Sequence, residues 1–196
     1  GDPDVLTCEE RQLNAVVWYE NPTWARYDIT TETSGNIDVA PYDIDGDGRT
    51  DLAMASEFAL LETTRGGLLH VLEGPETPTS PWSVVDIGAE PTAHRIRWAD
   101  LDGDGRRELV NVPIAGRGSG WPDFDVGVRL LYYRVPDAPW ADPWTPQVID
   151  STLSMIHGVS IVDWDGDGRA DLLAGRKRDI VWYRNTGTPG RPHEYE

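Results

Sequence analysis

Three nine-residue runs carry the residues best suited to chemistry in this chain: Asp43-Ile-Asp-Gly-Asp-Gly-Arg-Thr-Asp51, Asp100-Leu-Asp-Gly-Asp-Gly-Arg-Arg-Glu108 and Asp163-Trp-Asp-Gly-Asp-Gly-Arg-Ala-Asp171. Carboxylates at the first, third, fifth and ninth places converge on a hard cation that takes about six to eight oxygens, and the sixth-place glycine permits the sharp turn. The expected ligands are Asp43, Asp45, Asp47 and Asp51; Asp100, Asp102, Asp104 and Glu108; and Asp163, Asp165, Asp167 and Asp171. The seventh place is Arg49, Arg106 or Arg169. Arginine there suits a residue that offers only its carbonyl while its cationic side chain points away. About three Ca²⁺ per chain are therefore expected.

Two other readings compete. An EF-hand needs a bidentate glutamate at the twelfth place and flanking helices. The twelfth residues are Met54, Asn111 and Ala174, and the flanks alternate with period two, which rejects that reading. Asp-Gly also marks tight hairpin turns without any metal. Three copies, each keeping the ninth-place acid, favour the cation.

The elements that position these loops repeat with them. First aspartates at 43, 100 and 163 set a period of 57 and then 63 residues. Alternating runs precede each loop (36–42, 94–99, 157–162) and follow it (51–56, 108–113, 171–175). Aromatic and β-branched runs come next (67–73, 128–134, 179–184), and a fourth run follows a proline-rich connection (82–87, 144–149). Four strands per repeat predicts an all-β protein, a β-propeller of four-stranded antiparallel blades.

With the acidic loops, Val17-Trp-Tyr-Glu-Asn-Pro22 before the first and Val181-Trp-Tyr-Arg-Asn-Thr-Gly187 after the third, residues 15 to 196 resemble FG-GAP/VCBS-type repeats. That resemblance implies calcium-stabilised β-propellers of secreted or cell-surface proteins, among them lectins, lyases and adhesion receptors. It is informative for architecture and says little about activity.

The repeat divides the chain into an N-terminal segment 1–14, a partial blade 15–31 built of third and fourth strands, a blade 32–90, a blade 91–153 and an incomplete blade 154–196. Two whole and two partial blades fall short of the roughly four to eight of a closed propeller. The expectation is an arc of a larger ring. It is a fragment, an arc sharing its ring with other chains, or a small ring closed through its terminal strands, and the fragment is favoured. Remaining blades would come from the parent chain or from self-association, since an open blade edge aggregates.

Composition narrows the partners. Thirty-four acidic against 17 Lys and Arg residues give a net charge of −17. Nucleic acid and anionic membranes demand a basic face and are excluded as expected partners, and no apolar run approaches a membrane span. Cys8 is the single cysteine, so no internal disulfide can form, and its acidic neighbours Glu9 and Glu10 argue against a reactive thiol. Calcium loops of ordinary affinity suit millimolar extracellular calcium, which predicts a secreted, periplasmic or cell-surface location.

A ligand is expected on the face opposite the calcium loops. His94 and His157 each stand six residues before a loop, at the start of an innermost strand, whereas the first blade has Ile37 there. Two imidazoles at a channel mouth could hold a transition metal or act as acid and base; the competing reading is a histidine bonded to its neighbouring blade. The insertion 115–127 should emerge on the same face, where Trp121 offers a platform for a sugar ring and Asp123 and Asp125 offer acceptors for its hydroxyls. Arg117 and the cluster Arg176-Lys177-Arg178 could add affinity for an anionic polysaccharide. Trp18, Trp82, Trp144 and Trp182 recur with the repeat and are expected in blade packing. Trp98 and Trp164 should shield the loops, which leaves Trp121 and Trp140 as ligand candidates.

Two functions follow. The first is a calcium-stabilised recognition module for a glycan or protein. The alternative is the propeller domain of a carbohydrate-active lyase or dehydratase, with His94 and His157 as base and metal ligands and Arg95 or Arg117 neutralising developing charge. A purely structural spacer is the third reading.

Overall fold

The computed structural model describes residues 3–9, 15–187 and, as backbone, 194–195. Among them there is no helix. Fifteen strands run in order: β1 (Val5–Cys8), β2 (Val16–Glu20), β3 (Ala25–Thr30), β4 (Asp38–Tyr42), β5 (Asp51–Ser56), β6 (Leu68–Glu73), β7 (Ser83–Ala89), β8 (Ala93–Ala99), β9 (Glu108–Pro113), β10 (Leu130–Tyr133), β11 (Pro146–Asp150), β12 (Ile156–Val162), β13 (Asp171–Arg176), β14 (Ile180–Arg184) and β15 (Glu194–Tyr195). They form four antiparallel meanders, β1-β2-β3, β4 to β7, β8 to β11 and β12 to β15. Each acidic loop joins the first and second strands of its sheet, as the repeat predicts.

Adjacent sheets pack face to face, and strand alternation divides the core among them. Leu52 and Met54 of β5 turn toward the first sheet, where they meet Val16 and Ile29. Ala53 and Ala55 of the same strand turn the other way and meet Ile96, Leu109 and Tyr133 of the third sheet. Val110 and Leu130 then meet Leu172, Ala174 and Tyr183 of the fourth. Burying each leucine contributes about 2 to 3 kcal/mol, so these interleaved layers carry most of the stability.

Residues 1–14, expected to precede the blades, supply strand β1. It pairs with β2 through Leu6 opposite Trp18 and Thr7 opposite Val17. Its place is that of a second strand, because β1 touches β4 as β5 touches β8 and β9 touches β12. The first sheet thus holds second, third and fourth strands rather than the third and fourth alone. Val-Leu-Thr-Cys is too short a run for alternation to declare itself.

The fourth sheet keeps one apolar face open. Ile180 is 73% exposed at the place where Leu130 of the preceding sheet is fully buried. At the other end of that sheet Val162 and Trp164 are exposed at the third acidic loop.

Candidate metal centres and channel-mouth histidines

Each loop is organised by its own backbone. The first-place carboxylate collects loop N–H groups on both oxygens: Asp43 accepts from Gly46 (2.9 Å) and Gly48 (3.0 Å), Asp100 from Gly103 (2.7 Å) and Gly105 (3.0 Å), and Asp163 from Gly166 (2.8 Å) and Gly168 (2.9 Å). Gly46 and Gly48 have φ of 81° and 86°, a region where a side chain would be strained.

The ninth-place acid is buried and fastened. Asp51 (1% exposed) accepts the N–H of Ile44 at 2.9 Å on one oxygen and that of Gly74 at 2.8 Å on the other. Asp171 accepts in the same way from Trp164 (3.2 Å) and Asn185 (2.7 Å), and Glu108 accepts from Leu101 (2.8 Å). Burial raises the Asp51 carboxyl above its usual range against the pull of those bonds. Burial first, then the charges of Asp102 and Asp104, pushes Glu108 up to about 7.

Three carboxylates converge in every loop. Ligand atoms of Asp43, Asp45 and Asp51, of Asp100, Asp102 and Glu108, and of Asp163, Asp165 and Asp171 lie within 4.8 Å of one another. The fifth-place residues stand apart from these triads. Asp47, Asp104 and Asp167 accept the N–H of Arg49, Arg106 and Arg169 (2.8, 2.7 and 3.0 Å), and Asp47 and Asp167 also pair with the guanidinium of Arg49 and Arg169. Arg49 and Arg169 point their side chains away from the triads, donating through Nε to the carbonyls of Gly74 (2.9 Å) and Asn185 (2.8 Å).

The third-place carboxylate receives a donor from outside its loop. Asp102 accepts from Arg134 (2.8 Å) and Asp165 from Arg184 (2.6 Å). In the second sheet Glu73 stands where those arginines stand, and the donor is instead the indole of Trp140, from the β10–β11 connection, at 3.0 Å from Asp45 Oδ2. Trp140, expected as a ligand candidate, therefore caps the loop of the neighbouring blade.

A ninth-place residue also exists in the first sheet. Asp4 accepts the N–H of Asn21 at 2.9 Å, the bond that Asp51 makes to Gly74 and Asp171 to Asn185, and takes the Trp18 indole N–H at 2.9 Å on its other oxygen. Its signal was Gly1-Asp-Pro-Asp4, which repeats the Gly-x-x-acid tail of the loops.

At the opposite end of the sheets His94 and His157 come together, their ring centroids 5.0 Å apart, with Phe58 5.2 Å from His94. His94 is 5% exposed and its Nδ1 has no hydrogen-bond partner among the described residues; His157 is exposed. Burial, then the charges of Arg95 and His157, lowers His94 to about 4, so its ring is neutral at pH 7. Arg95 turns back on its neighbour, donating to the His94 carbonyl at 3.1 Å. Arg117 is held elsewhere, on the Thr64 carbonyl at 3.0 Å. Among the described residues the groups of three or more metal-ligating side chains are the three acidic triads, and the histidine pair is not among them.

The glycine-rich insertion is anchored across two blades. Thr63 donates to the Ser119 carbonyl at 2.6 Å, and Phe124 is buried with Ile114 and Ala115 against Phe58, Leu60 and Met155. This fixes Trp121 on the surface at 74% exposure, its ring 6.0 Å from Phe124, with Asp123 and Asp125 exposed beside it. In the basic cluster Arg176 is paired with Asp179.

Cross-strand register builds a further constellation. Ser56 of β5, His70 of β6 and Asp86 of β7 form a relay, with Ser56 Oγ 2.7 Å from His70 Nε2 and His70 Nδ1 2.5 Å from Asp86 Oδ1. The order is that of a nucleophilic triad. Ser56 is 1% exposed and His70 4%, so no substrate reaches the hydroxyl, and the relay serves to tie three strands together.

Residues 1–54 match the FG-GAP-like repeat family. The match spans the first sheet and the second as far as Met54. Besides this match, the chain is 30% identical over 124 residues to aldos-2-ulose dehydratase of Phanerodontia chrysosporium, an alignment covering 60% of this chain and 13% of that protein. The FG-GAP repeat and the four meanders agree on a β-propeller module.

Proposed function

We propose that this FG-GAP-type propeller segment binds about three Ca²⁺, one per acidic loop, and works outside the cytoplasm as a recognition module for a glycan or protein. The observation that carries the calcium assignment is the threefold recurrence of three carboxylates with ligand atoms within 4.8 Å. Hard oxygens alone, in loops whose backbone is already ordered around the first-place acid, suit calcium over softer metals. The bound cation would offset the repulsion among carboxylates and lock the turn between first and second strands. FG-GAP repeats and their calcium demand fit an extracellular, periplasmic or cell-surface setting.

Recognition is assigned to the face opposite the loops, where Trp121, Asp123 and Asp125 are presented on an anchored insertion. The open face at Ile180 accepts a further blade, from a parent chain or a second copy. Glycan and protein arrays probed with the calcium-loaded chain test the role, with binding expected to fall when Trp121→Ala is introduced.

A second reading is favoured by two observations, the similarity to a dehydratase and the buried, unpartnered Nδ1 of His94 beside His157. In it the propeller belongs to a carbohydrate-active lyase or dehydratase. The two imidazoles would act as base or transition-metal ligands at the channel mouth. Loss of turnover in His94→Ala and His157→Ala with folding intact, or retention of zinc after dialysis, would put this reading first.

A further inference from the structure

Between the first and second sheets lies a cleft of about 380 Å³, walled by Leu6, Trp18, Leu52, Pro78 and Trp82. Asp4, Arg49 and Glu76 supply its charge. The corresponding place between the second and third sheets is filled, and the repeat shows by what.

Three registers make the two places equivalent. Pro41 and Trp98 each stand two residues before a loop's first aspartate. Gly74 and Val135 each lie two residues after the third-strand partner of Leu52 or Leu109. Thr79 and Trp140 each follow the proline whose carbonyl accepts the indole N–H of Trp82 (3.2 Å) or Trp144 (3.0 Å). Trp98, Val135 and Trp140 pack against the core between the second and third sheets. Pro41, Gly74 and Thr79 are far smaller; Pro41 and Gly74 line the cleft, as does Pro78 next to Thr79. One blade along, then, the same architecture holds an indole from its own chain, with the indole N–H on a carboxylate oxygen of Asp45.

We infer that the open cleft binds a tryptophan side chain presented by a partner protein, on a segment with basic residues beside it. This rests on the recognition role proposed above and adds to it a partner class and a second site, at the loop end of the sheets. Charge selects such a segment. Arg49 is committed to the Gly74 carbonyl and to Asp47, and Asp4 to Trp18 and Asn21. Glu76 is exposed and has no partner among the described residues, so it faces an incoming indole N–H or lysine unpaired. A sugar fits less well. Both lining indole N–H groups and the side chains of Asp4 and Arg49 are already engaged within the protein, and Leu6, Ile29, Leu52 and the prolines offer no polar side-chain atom, so most hydroxyls of a pyranose would enter unsatisfied.

The test is calorimetric titration of the calcium-loaded chain with acetyl-Lys-Trp-Lys-amide, its Glu-Trp-Glu counterpart, and glucose, galactose and N-acetylglucosamine. Saturable binding of the basic peptide, at least tenfold tighter than the acidic one, is expected. Thr79→Trp, which supplies the missing indole from within, should abolish it while the melting temperature holds or rises, and Glu76→Gln should weaken it several-fold. No saturable binding at millimolar peptide, binding untouched by both variants, or a monosaccharide that competes for the cleft would overturn the inference. A ligand captured through Trp121 and lost in Trp121→Ala, with this cleft silent, would sink the cleft and leave the recognition role standing.

Discussion

Asp51 and Gly74 are joined by a hydrogen bond of 2.8 Å, from the Gly74 N–H to a carboxylate that also belongs to the first acidic triad. One side chain thus closes the metal loop and fastens it to the end of the third strand. Asp171 with Asn185 and Asp4 with Asn21 repeat the joint, which gives the ninth place a structural role beside the ligand role proposed for it.

The two kinds of loop acid should therefore separate by mutation. Asp51→Ala removes a ligand and strands two buried N–H donors, and should cost about 2 to 4 kcal/mol, part of which persists in EDTA. Asp47→Ala, outside the triad, should cost less. Urea unfolding with and without calcium measures both; equal losses would dissolve the distinction.

His94 gives stability a pH dependence. Its folded pKa is about 4, against an ordinary 6.5 when unfolded, because burial, Arg95 and His157 disfavour the cation more than Asp38 favours it. The unfolded chain takes up the proton first, so stability falls as pH drops from about 6.5 toward about 4 and this contribution is flat below that. His94→Gln, compared with wild type at fixed calcium, should flatten that slope. An unchanged slope would show that His94 is not the group responsible.

Cys8 should be sluggish toward alkylation. Burial, helped by Asp38, raises its thiol to about 11, so almost no thiolate exists at pH 8. Iodoacetamide should label the unfolded chain readily and the folded chain slowly, as followed by mass spectrometry.

The Ser56–His70–Asp86 relay should behave as a strand tie. His70→Ala is expected to cost about 1 to 3 kcal/mol by leaving the Ser56 hydroxyl buried and unpaired. A fluorophosphonate probe should leave Ser56 unmodified, and labelling there would instead reveal an accessible nucleophile.

Architecture was legible in the sequence because strands alternate and the loops recur, so that four strands per repeat could be counted without knowing any contact. Strand β1 escaped because four residues are too few to show a period. Spacing grouped the acids of each loop, but did not show that Asp47, Asp104 and Asp167 would turn to the arginines two residues on. Trp140 looked unassigned because its partner Asp45 lies 95 residues back, and Ser56, His70 and Asp86 meet only through the registers of three paired strands. Contacts made by packing across blades are outside the reach of local pattern.

The central claim is calcium in the loops, and the most direct measurement is metal content by plasma mass spectrometry alongside melting curves with and without EDTA. About three calcium per chain and a large drop in melting temperature on chelation are expected, because each triad's mutual repulsion then opposes the folded turn. An unchanged melting temperature in excess EDTA, with metal content shown to be zero, would contradict it.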